Sequence, residues 1–395
     1  MSSGAGSFLI VSLPSNVAPS NNEELPLYLE KNLIGGHGVV SKFAIPTFKI
    51  GTLDSLVQQS DELEKMDVTI NGILNKIDDI LNAIYDNNSG LVASSKRIDG
   101  DKNAVEYIEK FRWNDTKYRT DNKSIKELID LISNEAIDLD SDLRNLYNSY
   151  NVAKSNLSAA NRKQNGDLSV ISLHDIVGPQ DFVLNSEHLV TVLVVVPKSL
   201  QKLWLSSYET LTEYVVPRSS HQITEDSEYV LNNVTLFKKK VPEFLAKCRE
   251  LKFLPREFNY SEELVESLKQ EYSLASRKES QMRGELIRLT RTSFQDVLAA
   301  WVHIKSLRVF VESILRYGLP PNFQSYFVRT NSGSEGEKSI ANAKSELVKE
   351  FGYLGGNAFN KDKKGNVMKD SSLHQYAGLV DQDYEPFVLY TFQVN

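Results

Sequence analysis

The sequence predicts an α+β fold that is mostly helical. The expected form is an elongated dumbbell: a mixed α/β foot from both termini, a long antiparallel helical neck and an inserted α/β head. Three observations carry this reading. Apolar residues recur at alternating spacings of three and four along two very long stretches. Between those stretches lies a segment rich in β-branched runs. Strand-like runs occur at both chain ends, and they can share a sheet only if the helices leave and return. The boundaries read as foot 1–52, neck 53–166, head 167–258, return helix 259–318 and foot again 319–395.

In chain order, SFLIVSLP (Ser7–Pro14) and KFAIPTFKIG (Lys42–Gly51) read as strands. The opening apolar run is short and lacks basic residues before it, so no secretory leader is expected. A helical run follows at Leu56, Leu63, Met66, Ile70, Leu74, Ile77, Leu81 and Ile84. From Asp54 to Asp86 this stretch holds eight acidic and two basic residues. A heptad seam then takes Ile125, Leu128, Ile132, Ala136, Leu139, Leu143, Leu146, Tyr150, Ala153, Leu157 and Ala160. It predicts a helix from the Asp121/Asn122 cap candidates to about Gln164, roughly 60 Å at the standard rise.

In the inserted segment, Leu189–Val196 is a β-branched run ended by Pro197, as in a strand buried on both faces. A helix is expected at Lys198–Leu211, strands in TEYVVPRSS (Thr212–Ser220) and EYVLNNVTLF (Glu228–Phe237), and a helix at Val241–Lys252. The second long seam runs from Leu264 to Leu315, with Ser261 as its cap candidate and Gly284 as a point of bending. It ends on Gly318, Leu319, Pro320 and Pro321, a helix stop that reads as a structural joint. Strands are expected at Gln324–Thr330 and Glu385–Val394, with a helix from about Ile340 to Phe351 between them. Ser15–Glu24, Asn87–Lys102 and Asn331–Lys338 have the composition of flexible loops.

Chemistry is sparse. The formal net charge of −7 argues against a general nucleic-acid surface. One cysteine, Cys248, cannot form an internal disulfide and fits a reducing compartment. Nothing approaches the roughly 18–20 continuous apolar residues of a membrane span. Leu33–Val40 and Gly352–Asn366 are glycine-rich but match neither phosphate-loop pattern. The six histidines, His37, His174, His188, His221, His303 and His374, include no pair at helical zinc spacing. His174 with Asp175 and Glu187 with His188 suggest acid–base chemistry, but no nucleophile motif accompanies them. No catalytic residue, metal or cofactor is expected. Cys248 and His303 read as packing positions. Basic residues gather at Lys238, Lys239, Lys240, Arg249, Lys252 and Arg256 in the head and at Lys361, Lys363 and Lys364 in the foot. These are candidates for docking acidic partners. From the residues alone, a coiled-coil scaffold or cytoskeleton-associated protein and a small-molecule enzyme both stay open.

The strings LRYGLPPNF, KFLPREFNYSEEL, GDLSVISLHDIV, DFVLNSEHLVTVLVVVPKSL, GYLGGNAF and SLHQYAGLVDQDYEPFV resemble the C-subunit family of eukaryotic vacuolar (V-type) proton ATPases, its fungal members above all. The resemblance runs from about Phe8 to the last strand. It implies a non-catalytic stator and assembly subunit between the ATP-hydrolysing and membrane sectors. It implies that the head binds one E–G peripheral-stalk heterodimer. The foot would bind another heterodimer and the cytosolic N-terminal domain of the membrane sector's large a-type subunit. The resemblance also implies reversible release, a position on the cytosolic face of the vacuolar membrane with a free cytosolic pool, and an actin contact for some members.

Overall fold

A computed structural model describes residues 6–17, 19, 24–33, 38–98, 102–173, 176–258, 262–331, 334–359 and 385–394. The chain is α+β and 58% helical, with two small antiparallel sheets. It divides into two compact units, Met1–Asn145 with Ile287–Asn395, and Leu146–Leu286.

The first unit's sheet is built around β1 (Gly6–Pro14), whose side chains alternate between two buried surfaces. Its neighbours are β7 (Phe323–Asn331) on one side and β8 (Val388–Val394) on the other, both antiparallel; β2 (Gly38–Lys42) completes the order β2-β7-β1-β8. Phe8 and Ile10 join the larger core, whereas Leu9, Val11 and Leu13 pack with Ile340, Leu347 and Phe351 of α9 (Ser334–Phe351). The apolar run without alternation is thus a strand covered on both faces. Of Lys42–Gly51, expected as a strand, only Lys42 belongs to the ladder. The chain leaves the sheet after Phe43 donates its N–H to Ser325 O. Pro46 has no N–H to contribute, and Phe43 and Phe48 turn into the core instead.

Three long helices follow: α2 (Leu53–Ile84), α5 (Ile125–Asn165) and α8 (Glu262–Tyr317). Thr52 caps α2 by accepting from Ser55 N–H at 3.3 Å. The cap of α5 is Ser124 rather than Asp121 or Asn122. Its N–H donates to Glu127 Oε2 at 2.7 Å while Glu127 N–H donates to Ser124 Oγ at 3.3 Å, closing a reciprocal box. Ser261 lies outside the described residues, and α8 runs unbroken through Gly284. Cross-links fix the registers. Ser60 meets Glu312, Glu64 meets Arg308 and Asp67 meets Lys305, so α2 and α8 are antiparallel with residue numbers summing to 372. Glu62 meets Lys126 and Lys76 meets Asp140, both offset by 64, so α2 and α5 are parallel.

At the centre of the α2–α8 seam lies a buried ionic cluster. Asp67 accepts from Trp301 Nε1 at 2.7 Å, from Lys305 Nζ at 2.8 Å and from Arg308 Nη1 at 2.9 Å. The Lys305 ammonium lies 4.3 Å from the Trp301 ring centroid and 4.5 Å from that of Phe392 on β8. Burial lowers the Lys305 pKa, while the Asp67 carboxylate opposes that shift.

Two stretches expected to be loops hold helix. Asn87–Lys102 contains α3 (Ser89–Ser95), capped by Asn88, and Lys96 ties it to Asp78 at 2.7 Å. Asn331–Lys338 spans the end of β7 and the start of α9 at Ser334. Spacing does not predict the short helix α4 (Ala104–Glu109), which an Asn103/Glu106 capping box closes. Polar composition reads as loop because caps and solvent-facing turns use the same residues.

The second unit's sheet has the order β4-β5-β3-β6, from β3 (Leu189–Pro197), β4 (His221–Glu225), β5 (Tyr229–Phe237) and β6 (Leu254–Arg256). As the β-branched run requires, β3 is covered on both sides. Val192, Val194 and Val196 pack with Trp204 and Phe244, and Leu193 and Val195 pack with Leu168 and Leu173. The helix expected at Lys198–Leu211 is three pieces, α6 (Gln201–Ser207) between two 3₁₀ turns. In Thr212–Ser220 only Val215 bridges to the sheet, at Leu236, and the strand starts at His221. The last helix, α7 (Val241–Glu250), stops two residues earlier than expected, and the short β6 follows it.

Candidate docking surfaces

The head lysines sit where β5 ends. Lys238–Lys240 form a 3₁₀ turn between β5 and α7. Lys238 Nζ donates to Ser186 O at 2.7 Å, and Lys240 pairs with Glu243 at 3.0 Å, which raises the lysine pKa and lowers that of the carboxylate. The side chains of Lys239, Arg249 and Lys252 are exposed and form no hydrogen bond or ion pair among the described residues. Arg256 is engaged differently. Its guanidinium donates to Leu168 O and Ile171 O, each at 2.8 Å, tying residues 168–171 to the sheet edge. Those six positions therefore divide into three free cations, two with local partners and one that holds the local fold. Lys361, Lys363 and Lys364 lie outside the described residues.

Composition offers no hint of an aromatic pair beside these lysines. Tyr214 is 63% exposed, and its ring meets that of Phe237 at 5.6 Å. Tyr214 has φ +66, and its carbonyl accepts from Phe237 N–H at 3.2 Å. Only the pairing of the 212–216 segment with β5 reveals it.

Among the described residues the candidates for chemistry are not brought together. His174, Asp175, His37 and His374 lie outside the described residues, and Glu187 and His188 are exposed. Cys248 is fully buried, and desolvation pushes its thiol up to about 12, which keeps it protonated. His303 is caged by Phe111, Trp113 and Tyr118. Asn114 N–H donates to its Nε2 at 3.2 Å, and Nδ1 lies 2.6 Å from Ala299 O, so the ring is neutral with Nδ1 as donor. Burial pushes its pKa down to about 4. Among the described residues no group of His, Cys, Asp and Glu could hold a metal, and no helix is long and apolar enough to cross a membrane.

The helix stop is as the residues prescribe. Gly318 takes φ +83 and donates its N–H to Ile314 O at 2.9 Å, an end to α8 that favours glycine. Pro320, preceded by a cis peptide bond, and Pro321 follow before β7 begins at Phe323.

A family model for the C subunit of V-ATPase matches residues 8–388. The chain belongs to the V-ATPase C-subunit family. It is 52% identical to the V-type proton ATPase C subunit of Saccharomyces cerevisiae over 98% of this chain and 97% of the relative. It is 39% identical to a V-type proton ATPase C subunit of Rattus norvegicus, over 90% of each chain. The corresponding protein of Xenopus laevis is 38% identical, again over 90% of each chain. Membership makes this chain a non-catalytic subunit of a V-type proton ATPase. The scaffold unrelated to a pump, open from the seams alone, finds no support.

Proposed function

We propose that this V-ATPase subunit is a stator strut supporting reversible assembly of the pump. In this reading residues 167–258 hold one E–G peripheral-stalk heterodimer. Residues 1–52 and 319–395 hold a second heterodimer and the cytosolic N-terminal domain of the membrane sector's a-type subunit. The strut works peripherally on the cytosolic face of the vacuolar membrane and has a free cytosolic pool.

The observation that carries this reading is family membership along almost the whole chain. Two features of the molecule support it. The chain passes from one unit to the other within α5 and within α8, at Asn145/Leu146 and Leu286/Ile287. Three head cations, on Lys239, Arg249 and Lys252, are free to meet an acidic partner. Moderate individual contacts multiplied over several partners give firm assembly that can still be reversed.

The test is gel filtration of the full chain with purified E–G heterodimer. A stoichiometric complex that weakens as salt rises is expected. Absence of any complex at micromolar concentrations would sink the reading.

A further inference from the structure

The segment between α4 and α5 joins buried rings to exposed charge. Phe111, Trp113 and Tyr118 close on His303 with ring centroids 4.8–4.9 Å away, and Phe48 meets Trp113 at 4.8 Å. All four of these aromatic residues are buried. Beside them in the sequence stand Lys49, Lys110, Arg112 and Arg119, each exposed, and the half-exposed Lys123 follows just before α5. With the rings gathered on α8, their charged neighbours are left to solvent.

The base under these cations is ordered. Trp113 Nε1 donates to Tyr118 O at 2.8 Å, Tyr118 N–H to Asn114 O at 2.8 Å and Lys117 N–H to Asn114 Oδ1 at 3.1 Å. Lys49 is bridged to Ser124, the cap of α5. A backbone fixed before binding has less freedom to lose when a partner arrives.

The charge is concentrated and largely unpaired. Residues 110–123 hold five basic and two acidic residues, in a chain whose net charge is −7. Lys117 pairs with Glu135 at 2.8 Å. The side chains of Lys49, Lys110, Arg112, Arg119 and Lys123 form no hydrogen bond or ion pair among the described residues. Asp115, Asp121 and Glu127 are interspersed with them, and the charges of Lys123 and Lys49 both act on Glu127.

These surroundings select the occupant. Insertion into a bilayer or stacking of bases needs exposed large apolar side chains, and residues 110–123 present none. The interspersed carboxylates would also face any uniformly anionic surface. A peptide can set single carboxylates against single arginine forks and leave those three in water.

We propose that Lys49, Lys110, Arg112, Arg119 and Lys123 form a docking surface for an acidic segment of a neighbouring pump subunit. This rests on the reading of the chain as a stator subunit and adds a contact centred outside the residues assigned there to either end.

The test uses the full chain in the assembled pump. Carbodiimide condenses a lysine amine with a carboxylate in contact with it. It is expected to link Lys49, Lys110 or Lys123 to an aspartate or glutamate of another subunit, read by peptide mass spectrometry. Arg112→Glu combined with Arg119→Glu is expected to weaken incorporation into the pump about tenfold, and Arg112→Lys with Arg119→Lys to retain most of it. Thermal unfolding of the charge-reversed variant should be unchanged, because both side chains are exposed; if it shifts, the cross-links to the wild-type chain decide. Wild-type incorporation by a stably folded charge-reversed variant would overturn the surface and leave the stator reading standing. So would the absence of any link from the three lysines to another chain, or binding to phosphatidylserine vesicles that the charge-reversed variant loses. Failure of the wild-type chain to bind any stalk subunit would overturn the stator reading, and the surface with it.

Discussion

The two four-stranded antiparallel sheets are built on opposite plans. In the second unit every strand comes from Leu189–Arg256, so paired residues lie at most 63 positions apart, as in Leu193 with Arg256. In the first unit β1 lies between strands more than 300 residues later in the chain, with Phe8 opposite both Arg329 and Phe392. Loop-closure entropy must be met before such distant pairings stabilise anything. The two cores differ to match. The second centres on Trp204, Phe244 and Phe253, and among its described residues the buried polar side chains, such as Asn232, Thr191 and Thr235, are uncharged. The first adds the Asp67, Lys305 and Arg308 cluster, whose lysine also reaches the Phe392 ring on the last strand. A buried charge network tolerates few alternative partners, so it specifies one register for α2, α8 and β8. A local sheet has less need of such a device.

Asp67→Ala should separate the two units most. It leaves the buried Lys305 ammonium without a carboxylate and Arg308 with Glu64 alone, and losses of about 3–5 kcal/mol are typical for breaking a buried pair on one side. The loss should fall on the first unit alone. Trp113 and Trp301 report on that unit and Trp204 on the second, so denaturant unfolding followed by fluorescence in single-tryptophan variants separates them. Equal destabilisation of both units would show that they unfold as one cooperative body.

Acid should distinguish the units by a smaller margin. His303 is buried neutral in the first unit, with its pKa pushed down from 6.5 to about 4, and Lys117 and Glu135 are the charges that act on it. Between those values the unfolded chain binds the extra proton, so stability rises with pH. The contribution is complete above about pH 6.5 and is lost as pH falls towards 4, up to about 3 kcal/mol. The second unit's described histidines, His188 and His221, are exposed. Unfolding midpoints of the first unit should therefore drop over this window, and His303→Gln should flatten the slope. A slope unchanged in that variant would assign the effect to other groups.

Gly318→Ala should have the mildest consequence. The left-handed φ costs a residue with a Cβ about 1–2 kcal/mol, and no neighbouring atom lies within 4 Å of the added methyl. The loss should appear in the first unit's unfolding and leave the second unit's midpoint in place.

Much of this fold is readable from the residues. The heptad seam of α5 needs no structure to interpret: Ile125, Leu128 and Ile132 recur at helical spacing, and a helix is the conformation that buries them together. Leu189–Val196 likewise has to be a strand covered on both faces. The misreadings share a cause. Asn88 caps a helix although composition assigns Asn87–Lys102 to a loop, and Ser124 rather than Asp121 or Asn122 caps α5, because many polar residues before a helix can serve as its cap. Lys42–Gly51 has the residues of a strand, but which stretch enters a ladder depends on the partner's free edge.

The docking residues divide in the same way. Lys239 and Arg256 look alike in sequence, yet one is free and the other bonds two carbonyls in the 168–171 segment.

The long helices, the two strand-bearing regions, the stop at Gly318 and the family are legible in the residue order, because spacing, backbone restriction and long distinctive strings are local properties. Which charges are paired, which are free, and that Phe8 stacks on Phe392 emerge only on folding. Those outcomes depend on registers between residues hundreds of positions apart, which are set by packing and by desolvation at each contact.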